Sequence, residues 1–512
     1  MSQSEIEKLK AAYALRGTEL HELREKVSTL EEEITRLKEL LKLQQDRQFG
    51  KKSEGSPTPG NGLASGVSHV AAHTRRKKCG RQLDTSLLPR HTVIHDLPES
   101  EKTCKCCHLP LHHIGQDVSE QLEIIPSRYC VIEHIRMKYG CRPCDSIVMA
   151  PKPPAPIPKA IAGASLLTDI LLGKYQYHLP LYRQSKIMKS YGLDIPDNTL
   201  GNWVMQSGDG LLKVYDALWV ILKNRYLQVD ETPVKLLETN KKGYVWTYYA
   251  PHVGTGKGLV VFEFSETRSG TVALERLRPF AGLLQTDGYV GYVELCKRED
   301  IVGLGCFSHA RRKFSEVVKI TSDRQGIAAE MIERMKPLYA LEARMREMRV
   351  TFYTRKRLRQ KIARPITKDI YKWLRSLLPT IPPKSQLAKA ISYTLNQWPR
   401  LVAYLRHGIA EIDTNNIENK IRDIALGRKN WLFIGNKNSG KIHALFYSFV
   451  MSAVLNDLNP RVYIHYLLTK IHELRRGEID PLTLLPDRID CKALEQFAVE
   501  QIAFGKKIMN SS

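Results

Sequence analysis

The 512-residue sequence has no long uninterrupted apolar run, and this lack argues against a membrane-spanning architecture. Its first segment, MSQSEIEKLKAAYALRGTEL, has no apolar signal core, and no later segment approaches the ~18 consecutive apolar residues that a membrane helix needs. We therefore predict a cytoplasmic protein, in which thiols stay reduced. The ten cysteines are then expected to be metal ligands or buried thiols instead of disulfides.

Negative charge is scarce as well. The sequence has 54 Asp and Glu residues against 78 Lys and Arg residues, a formal net charge of +24. Such an excess indicates a polyanionic partner, usually nucleic acid, and a basic protein without such a partner is the alternative. Apolar residues make up 43% of the chain, enough to build substantial cores, and the length indicates several domains.

Residues 1–47 are rich in Glu, Lys and Leu and carry apolar residues at a spacing of seven. The first row is Leu20, Val27, Ile34 and Leu41, and a second row, offset by three, is Leu23, Leu30 and Leu37. A narrow seam of this composition is typical of parallel coiled-coil dimers. We predict a leucine zipper that makes the protein a homo-oligomer. A single amphipathic helix that packs on the body is the alternative.

Two pairs of cysteines, each with C-x-x-C spacing, lie within residues 91–150, after a Gly-, Ser- and Pro-rich linker with a basic segment (48–90). Two such pairs can bring four thiolates around one structural Zn²⁺ ion, as in a zinc ribbon, and the alternating residues between the pairs predict strands. The predicted ligands are Cys104, Cys107, Cys141 and Cys144. Cys106 and His108 leave the exact ligand set open, and four unligated cysteines are the alternative.

Residues 151–222 are predicted to be helical. A helix that ends near Tyr191, a turn at Gly192 and a second helix capped by Asp197 or Asn198 would form a helix-turn-helix-like DNA-binding region. An ordinary helical hairpin fits the same pattern equally well.

The second half of the chain predicts a mixed α/β domain that is interrupted by helices. Residues 223–314 show three consecutive strands and then alternating helices and strands, the first part of the domain. Residues 315–410 are a predicted helical insertion with a basic segment at residues 355–361. Residues 411–455 complete the α/β domain, and residues 456–512 form a C-terminal helical region.

Three acidic residues stand out in the α/β domain. Asp230 and Asp287 are predicted to end its first and fourth strands, and Glu418 to lie on a helix that begins near Thr414. Carboxylates at adjoining strand ends can face one crevice, and a helix beside that edge can present a third. Such oxygen ligands suit Mg²⁺ (or Mn²⁺), and two such ions can activate an attacking oxygen and stabilise a leaving oxygen. We therefore predict that the three carboxylates are catalytic and bind metal.

Each carboxylate also has a purely structural interpretation. Asp230 and Asp287 could be turn residues after strands, and Glu418 could close a capping box with Asn415. Their joint placement on strand one, strand four and a later helix is what favours a catalytic role.

Several polar residues near the three carboxylates are candidates for auxiliary or DNA-binding roles. Asn415 and Arg422 share the helix face of Glu418 and could orient its carboxylate or bind a phosphate, with a polar helix surface as the alternative. The other candidates could contact DNA phosphates. The candidates are His309, Arg311 and Arg312 after the fifth strand, and Asn415, Arg422, Arg428 and Lys429 on the helix of Glu418.

The chain resembles the large transposases of the insertion-sequence 66 family over nearly its whole length. The resemblance rests on the zipper, the C-x-x-C module and the segments HLPLYRQSKIM, VDETPV, QTDGY, HARRKF and NNIENKIRDIALGRKNWLFIG. It implies an RNase H-like fold whose DDE triad is Asp230, Asp287 and Glu418, DNA-end recognition by the N-terminal half, and two small accessory proteins. One departure is His108, which stands where family members usually have Gly and affects the geometry of the first cysteine pair.

These features predict a bacterial DNA transposase, associated with the nucleoid, that cleaves DNA strands and joins them. One alternative is a catalytically inactive, zinc-containing DNA-binding regulator that dimerises by the zipper. A second alternative is an RNase H-like nuclease that cuts without joining. The intact acidic triad argues against the regulator, and a strand-transfer assay separates the transposase from the nuclease.

Overall fold

The computed structural model describes residues 25–27, 29–30, 33–34, 37–38, 109, 129–141, 146–223, 225–251 and 258–510. The chain divides into two units, Met1–Gly50 with Tyr129–Ser512, and Lys51–Arg128. Within the predicted zipper, four residues of the seam are helical and have at least half of their surface exposed: Val27, Leu30, Ile34 and Leu37. The other three seam residues, Leu20, Leu23 and Leu41, lie outside the described residues.

The described part of the chain contains short strands and many helices. The strands are β1 Lys138–Cys141, β2 Ser146–Met149, β3 Leu227–Lys235, β4 Lys242–Ala250, β5 Leu259–Ser265, β6 Gly282–Gln285 and β7 Ile301–Leu304. The first helices are α1 Ala164–Tyr175, α2 Leu181–Ser190, α3 Asp197–Leu222, α4 Gly270–Arg276, α5 Val293–Cys296, α6 Phe307–Thr321 and α7 Ile327–Glu347. The remaining helices are α8 Phe352–Leu358, α9 Arg364–Leu377, α10 Gln386–Ala403, α11 Asn415–Trp431, α12 Lys437–Leu455, α13 Pro460–Arg476 and α14 Cys491–Asn510.

Strands β1 and β2 form an antiparallel hairpin in which Cys141 pairs with Ser146. In the segment predicted to contain strands, β1 is formed, residues 131–137 form no strand, and residues 120–128 lie outside the described residues. Alternation stabilises a strand only where one face is buried, and here Val131 and Ile135 are largely exposed. Of the predicted zinc ligands, Cys104, Cys107 and Cys144 and the side chain of Cys141 lie outside the described residues.

Strands β3 to β7 form a mixed five-stranded sheet with the order β5-β4-β3-β6-β7. Strands β3, β4 and β5 are paired antiparallel, as three consecutive strands with short connections should be. Strand β6 lies parallel to β3, and β7 lies parallel to β6. The change from antiparallel to parallel pairing therefore occurs at β3, which lies in the centre of the sheet.

Helix α12 covers the edge strand β5 with a buried face rich in apolar residues and serines. The backbone N–H of Phe262 donates to Ser448 Oγ (2.8 Å) and that of Val260 donates to Ser452 Oγ (3.0 Å). These bonds occupy edge N–H groups that would otherwise offer a template for another strand. The serines that interrupt this apolar segment therefore seal the edge of the sheet.

Helices α2 and α3 occupy the region of the predicted helix-turn-helix, and Gly192 between them has a φ of +84°, a conformation that glycine adopts without strain. The predicted cap of the second helix was wrong. Pro196 is the N-cap residue, no side chain caps the helix, and Asp197 is already its first residue. Pro196 has a φ of −60° and an extended ψ of 146°, as the residue before a helix should, so the helix starts at Asp197, one residue earlier than an Asp197 cap implies.

Helices α7 to α10 come between β7 and α11 in the chain. They share a core with α6, in which Phe307, Leu338 and Ile391 are fully buried. Helix α6 runs from Phe307 to Thr321, so the predicted boundary at residue 314 falls inside a helix. The carboxylate of Glu342 is also buried in this core, between the guanidinium groups of Arg355 and Arg359.

Candidate active site

Asp230 lies inside β3 and not at its end, so that part of the prediction was wrong. Antiparallel pairing with β4 extends β3 to Lys235, whereas its parallel pairing with β6 stops at Gln228 and Gln285. Asp230 therefore follows the end of the parallel ladder by two residues. Its Oδ1 accepts a hydrogen bond from the backbone N–H of Glu231 (2.8 Å).

Glu231 has different partners from Asp230, as expected for adjacent residues of a strand. Its carboxylate is nearly buried and accepts hydrogen bonds from Arg268 Nε (2.7 Å) and the Tyr292 hydroxyl (2.5 Å). The guanidinium of Arg268 lies over the ring of Tyr289, 4.2 Å from its centre. Glu231 thus ties β3 to the loop that follows Asp287.

Asp287 lies two residues beyond the last residue of β6, and not at the strand end itself. Its Oδ1 accepts a hydrogen bond from the backbone N–H of Tyr289 (2.9 Å), so the aspartate also stabilises the turn that it opens. Gly288 makes room for the phenol of Tyr393 from α10, whose oxygen would lie 2.6 Å from a Cβ at that position. A side chain from the insertion therefore contacts the loop that carries Asp287.

Glu418 is the fourth residue of α11. Its carboxylate accepts hydrogen bonds from Arg312 Nη2, at 3.0 and 3.1 Å, and its Oε1 lies 3.8 Å from His309 Nε2. Helix α11 begins at Asn415, with Thr414 as N-cap residue, and no side-chain cap is formed. The capping-box alternative for Glu418 is therefore wrong, because its carboxylate contacts α6 instead of its own helix start.

The electrostatics of the site link the three carboxylates. Burial, followed by the charges of Glu231, Asp287 and Glu418, raises the pKa of Asp230 well above its ordinary value. Burial and the nearby Arg312 lower the pKa of His309, while Asp287 and Glu418 act in the opposite direction. Residues from β3, the loop after β6, α6 and α11 therefore share one electrostatic environment.

The oxygen donors at this site fit a hard divalent cation such as Mg²⁺. A cation beside Asp230 would offset the repulsion between its carboxylate and those of Asp287 and Glu418. In the part of the chain that the structure describes, no three Asp, Glu, His or Cys side chains are arranged closely enough to hold a metal ion. Glu418 would have to turn away from Arg312 to join such a set.

The predicted auxiliary residues divide into three groups. His309 and Arg312 lie beside the carboxylate of Glu418. Asn415 donates its side-chain amide to Asp413 Oδ2 (3.0 Å), and Arg428 Nη1 donates to Thr232 Oγ1 (3.1 Å) and to the carbonyl of Pro233 (2.7 Å). Arg428 therefore fixes α11 to β3. Three other candidates lie at the surface, where Arg422 and Lys429 are exposed and Arg311 is half-buried.

Sequence reasoning missed a buried polar network beneath the carboxylates. Gln228 and Gln285, paired across β3 and β6, precede Asp230 and Asp287 by two residues and are fully buried. The Gln228 amide donates to the carbonyl of residue 413 (3.0 Å), and the Gln285 amide donates to those of residues 305 and 411 (2.9 Å each). The hydroxyl of Tyr226 bonds to both amide groups and accepts from the N–H of residue 411 (3.1 Å).

This network binds the segment before α11 to β3 and β6, the two strands that carry or precede the aspartates. It therefore helps to fix the position of Glu418. A signal for it was present in the sequence. Glutamine interrupts both apolar strands at the same offset from the acidic residue, and a buried amide requires partners.

A mixed α/β domain with carboxylates gathered beyond its parallel strands is compatible with the catalytic domain of a DDE transposase. The family model described as "Transposase IS66 family" matches residues 159–442, more than half of the chain, and the protein therefore belongs to this family. A second model, "zinc-finger binding domain of transposase IS66", matches residues 101–145. The resemblance seen in the sequence is confirmed.

Three proteins of Sinorhizobium fredii are among the relatives, and each is described as uncharacterized. Protein y4jD is 34% identical over 399 residues, 75% of this chain and 77% of its own length. Protein y4hP is 29% identical over 461 residues (86% and 82%), and y4qI is 28% identical over 491 residues (90% and 90%).

Membership of a transposase family implies DNA as a partner. The model for residues 101–145 supports a zinc-binding module there. None of the described helices is long and apolar enough to span a membrane.

Proposed function

We propose that this protein is a DNA transposase that cleaves phosphodiesters at the ends of its element and joins them to target DNA, with Asp230, Asp287 and Glu418 as its catalytic triad. The observation that carries the proposal is that three elements bring carboxylates together: Asp230 of β3 is half-buried and interacts electrostatically with Asp287 after β6 and with Glu418 of α11. Like charges held near one another cost stability unless a function or a cation compensates for them.

The domain that holds these residues is proposed to be RNase H-like. The strand order supports this assignment, because three antiparallel strands are followed by two parallel ones. One acidic residue lies on β3, the first of these strands, and another follows β6, the fourth. The insertion α7–α10 separates β7 from α11, the helix that carries Glu418. The three carboxylates would hold Mg²⁺ (or Mn²⁺). The metal ion would supply Lewis acidity and offset the negative charge of the phosphate that an attacking oxygen approaches.

The residues around the triad have proposed roles of their own. Arg312 pairs with the Glu418 carboxylate until a metal ion takes its place, and its guanidinium, 42% exposed, can then face a DNA phosphate. The buried amides of Gln228 and Gln285 maintain the spacing between the strands and α11. His309, whose lowered pKa favours the neutral imidazole, adds no positive charge that would repel a metal ion.

The remaining parts of the chain are proposed to serve assembly and DNA recognition. The zipper of residues 1–47 would form the homo-oligomer, which light scattering of the full chain checks. Cys104, Cys107, Cys141 and Cys144 would bind one structural Zn²⁺ ion, which elemental analysis checks. The N-terminal half, with the zinc module and the α2–α3 region, would recognise element ends. We further propose two small accessory proteins and a nucleoid-associated location in the cytoplasm.

The test of catalysis replaces each carboxylate by its amide in Asp230→Asn, Asp287→Asn and Glu418→Gln variants. Each change removes a charge that a metal ion needs and preserves the shape, so cleavage and strand transfer of labelled element ends should be lost. DNA-end binding, which rests on phosphate contacts elsewhere, should largely survive.

Asp300→Asn is the matched control, because this exposed aspartate precedes β7 at the opposite end of the parallel strands. It should retain full activity. If Glu418→Gln cuts DNA as fast as the parent, Glu418 is not catalytic and the triad must be reassigned. Cleavage without strand transfer by the parent protein would identify a nuclease instead of a transposase.

A further inference from the structure

The insertion contains one long helical rod, formed by α8, a short π-helical turn at Arg359–Ala363 and α9. Basic residues recur on it every three or four positions, and all six are exposed: Arg357, Lys361, Arg364, Lys368, Lys372 and Arg375. We call this set the basic stripe. At 1.5 Å per residue, the stripe extends over about 27 Å of the rod.

The other face of the rod is apolar and packs into the core of the insertion. Ala363, Ile370 and Leu374 are buried there, together with Thr367. A helix with one face fixed by packing keeps its charged face in a constant direction. The backbone positions of the stripe therefore form a fixed line along one exposed face of the rod.

Neighbouring arginines in the same basic segment have a different role. Arg355 and Arg359 point into the core, where they bind the carboxylate of Glu342, and Arg355 also binds Glu411. In contrast, none of the six stripe residues is paired with a carboxylate among the residues that the structure describes. The structure thus separates a run that looks uniformly basic in sequence into anchoring and exposed cations.

A groove of about 390 Å³ follows the middle of the stripe. Its lining residues are Gln360, Arg364, Pro365, Lys368, Asp369 and Lys372, with one acidic side chain against three basic ones. Exposed, unneutralised cations along a shallow groove complement a polyanion with regularly spaced charges. B-DNA rises about 3.4 Å along its axis per base pair, so the stripe is about as long as eight base pairs of duplex.

We propose that the basic stripe is a docking surface for the phosphate backbone of duplex DNA, independent of base sequence. The choice of DNA as the polyanion rests on the proposed function. The rod is attached to the candidate active site, because the backbone of Glu411, the partner of Arg355, is bound by Gln285 and Tyr226. DNA held on the stripe would therefore lie in a fixed orientation to Asp287.

The test measures binding of the full-length protein to a fluorescein-labelled, random-sequence 30-base-pair duplex at several salt concentrations, with EDTA present to prevent cleavage. In the Lys368→Ala/Lys372→Ala variant, the slope of log K against log[salt] should fall in magnitude by about 1.8, because each lost phosphate contact contributes about 0.9. The matched control is Lys492→Ala/Lys506→Ala, which removes the same charge from exposed positions of α14 and should keep the parent slope.

A second measurement maps the contact directly. Acetylation of lysines, read by mass spectrometry, should be suppressed by the duplex at Lys361, Lys368 and Lys372 and not at Lys492. A parent-like slope for the stripe variant, or an equal decrease in the control variant, overturns the proposal. Asp230→Asn should bind with the parent slope, so loss of catalysis and loss of docking are distinguishable results.

Discussion

Two arginine–glutamate pairs in this protein use the same chemistry in opposite environments. Glu342 is 1% exposed and lies between Arg355 and Arg359, which are also buried. Glu418 is 31% exposed, and its partner Arg312 is 42% exposed. Both glutamates accept hydrogen bonds from guanidinium groups, but only the second pair can exchange its partner for water, a metal ion or a phosphate.

The difference indicates how each pair is used. Removing one member of a buried pair leaves an uncompensated charge in a low dielectric, whereas an exposed pair contributes little to stability. The insertion therefore uses the Glu342 cluster as a fixed joint between its helices. The candidate active site uses a pair that can open at small cost, as a carboxylate that must reach a metal ion requires.

The largest effect is expected from breaking the buried pair. Glu342→Gln should lower the free energy of unfolding of the insertion by about 3–5 kcal/mol, because the fully buried Arg359 loses its carboxylate partner and Arg355 keeps only Glu411. Urea denaturation monitored by tryptophan fluorescence measures the change. Glu330→Gln, which breaks an exposed pair with Arg334, is the matched control and should cost about 0–1 kcal/mol.

The same cluster should respond to pH. Burial tends to raise the pKa of Glu342, but Arg359 and Arg355 outweigh it and hold that pKa below its ordinary value of 4.5. The stabilisation is therefore complete above the unfolded value and is lost as the pH falls through the lower, folded value. Equal acid sensitivity of the parent and Glu342→Gln proteins below that pH would contradict this assignment.

A smaller effect, on the cleavage rate, is expected from replacing a buried glutamine. Gln285 bonds to the backbone of Glu411, the partner of Arg355, and so connects the insertion to the candidate active site. Gln285→Leu leaves the carbonyl groups of Gly305 and Glu411 without their donor, so the segment before α11 should shift. We expect the cleavage rate to fall by about 10- to 100-fold. The affinity for DNA should stay within about twofold of the parent value, because the contacts with phosphates are unchanged. Single-turnover cleavage and equilibrium binding separate the two quantities.

Gln496→Leu is the control for that substitution, because Gln496 is an exposed glutamine of α14 that bonds only locally to Glu500. It should leave both quantities at parent values. A Gln285→Leu protein with normal cleavage would show that the network supports folding without positioning Glu418.

The sequence predicted the mixed sheet because strands and helices show local patterns of apolar residues. The catalytic role of the three acidic residues stays a prediction. Strand alternation located β3 and β6 to within a few residues, but the position of Asp230 inside β3 depends on pairing with β4, which local sequence does not encode. The partners of Glu418 also escaped prediction, because Arg312 is 106 residues away in the chain. The same limit applies to Arg355 and Arg359, because their partner Glu342 precedes them by 13 and 17 residues in the chain.

The smallest effect is expected from breaking the exposed pair. Arg312 competes with a metal ion for the carboxylate of Glu418, so Arg312→Gln should lower the Mg²⁺ concentration required for half-maximal cleavage. An exposed pair is worth at most about 1 kcal/mol, which corresponds to about a fivefold decrease. Cleavage rates measured at increasing Mg²⁺ concentrations give the half-maximal concentration independently of the maximal rate. The maximal rate itself falls if the guanidinium also binds a phosphate.

The matched control is Arg311→Gln, which removes the same charge from the preceding residue and should leave the Mg²⁺ requirement unchanged. A requirement that stays constant or rises in Arg312→Gln would show that the guanidinium supports the metal-binding arrangement of Glu418 instead of opposing it.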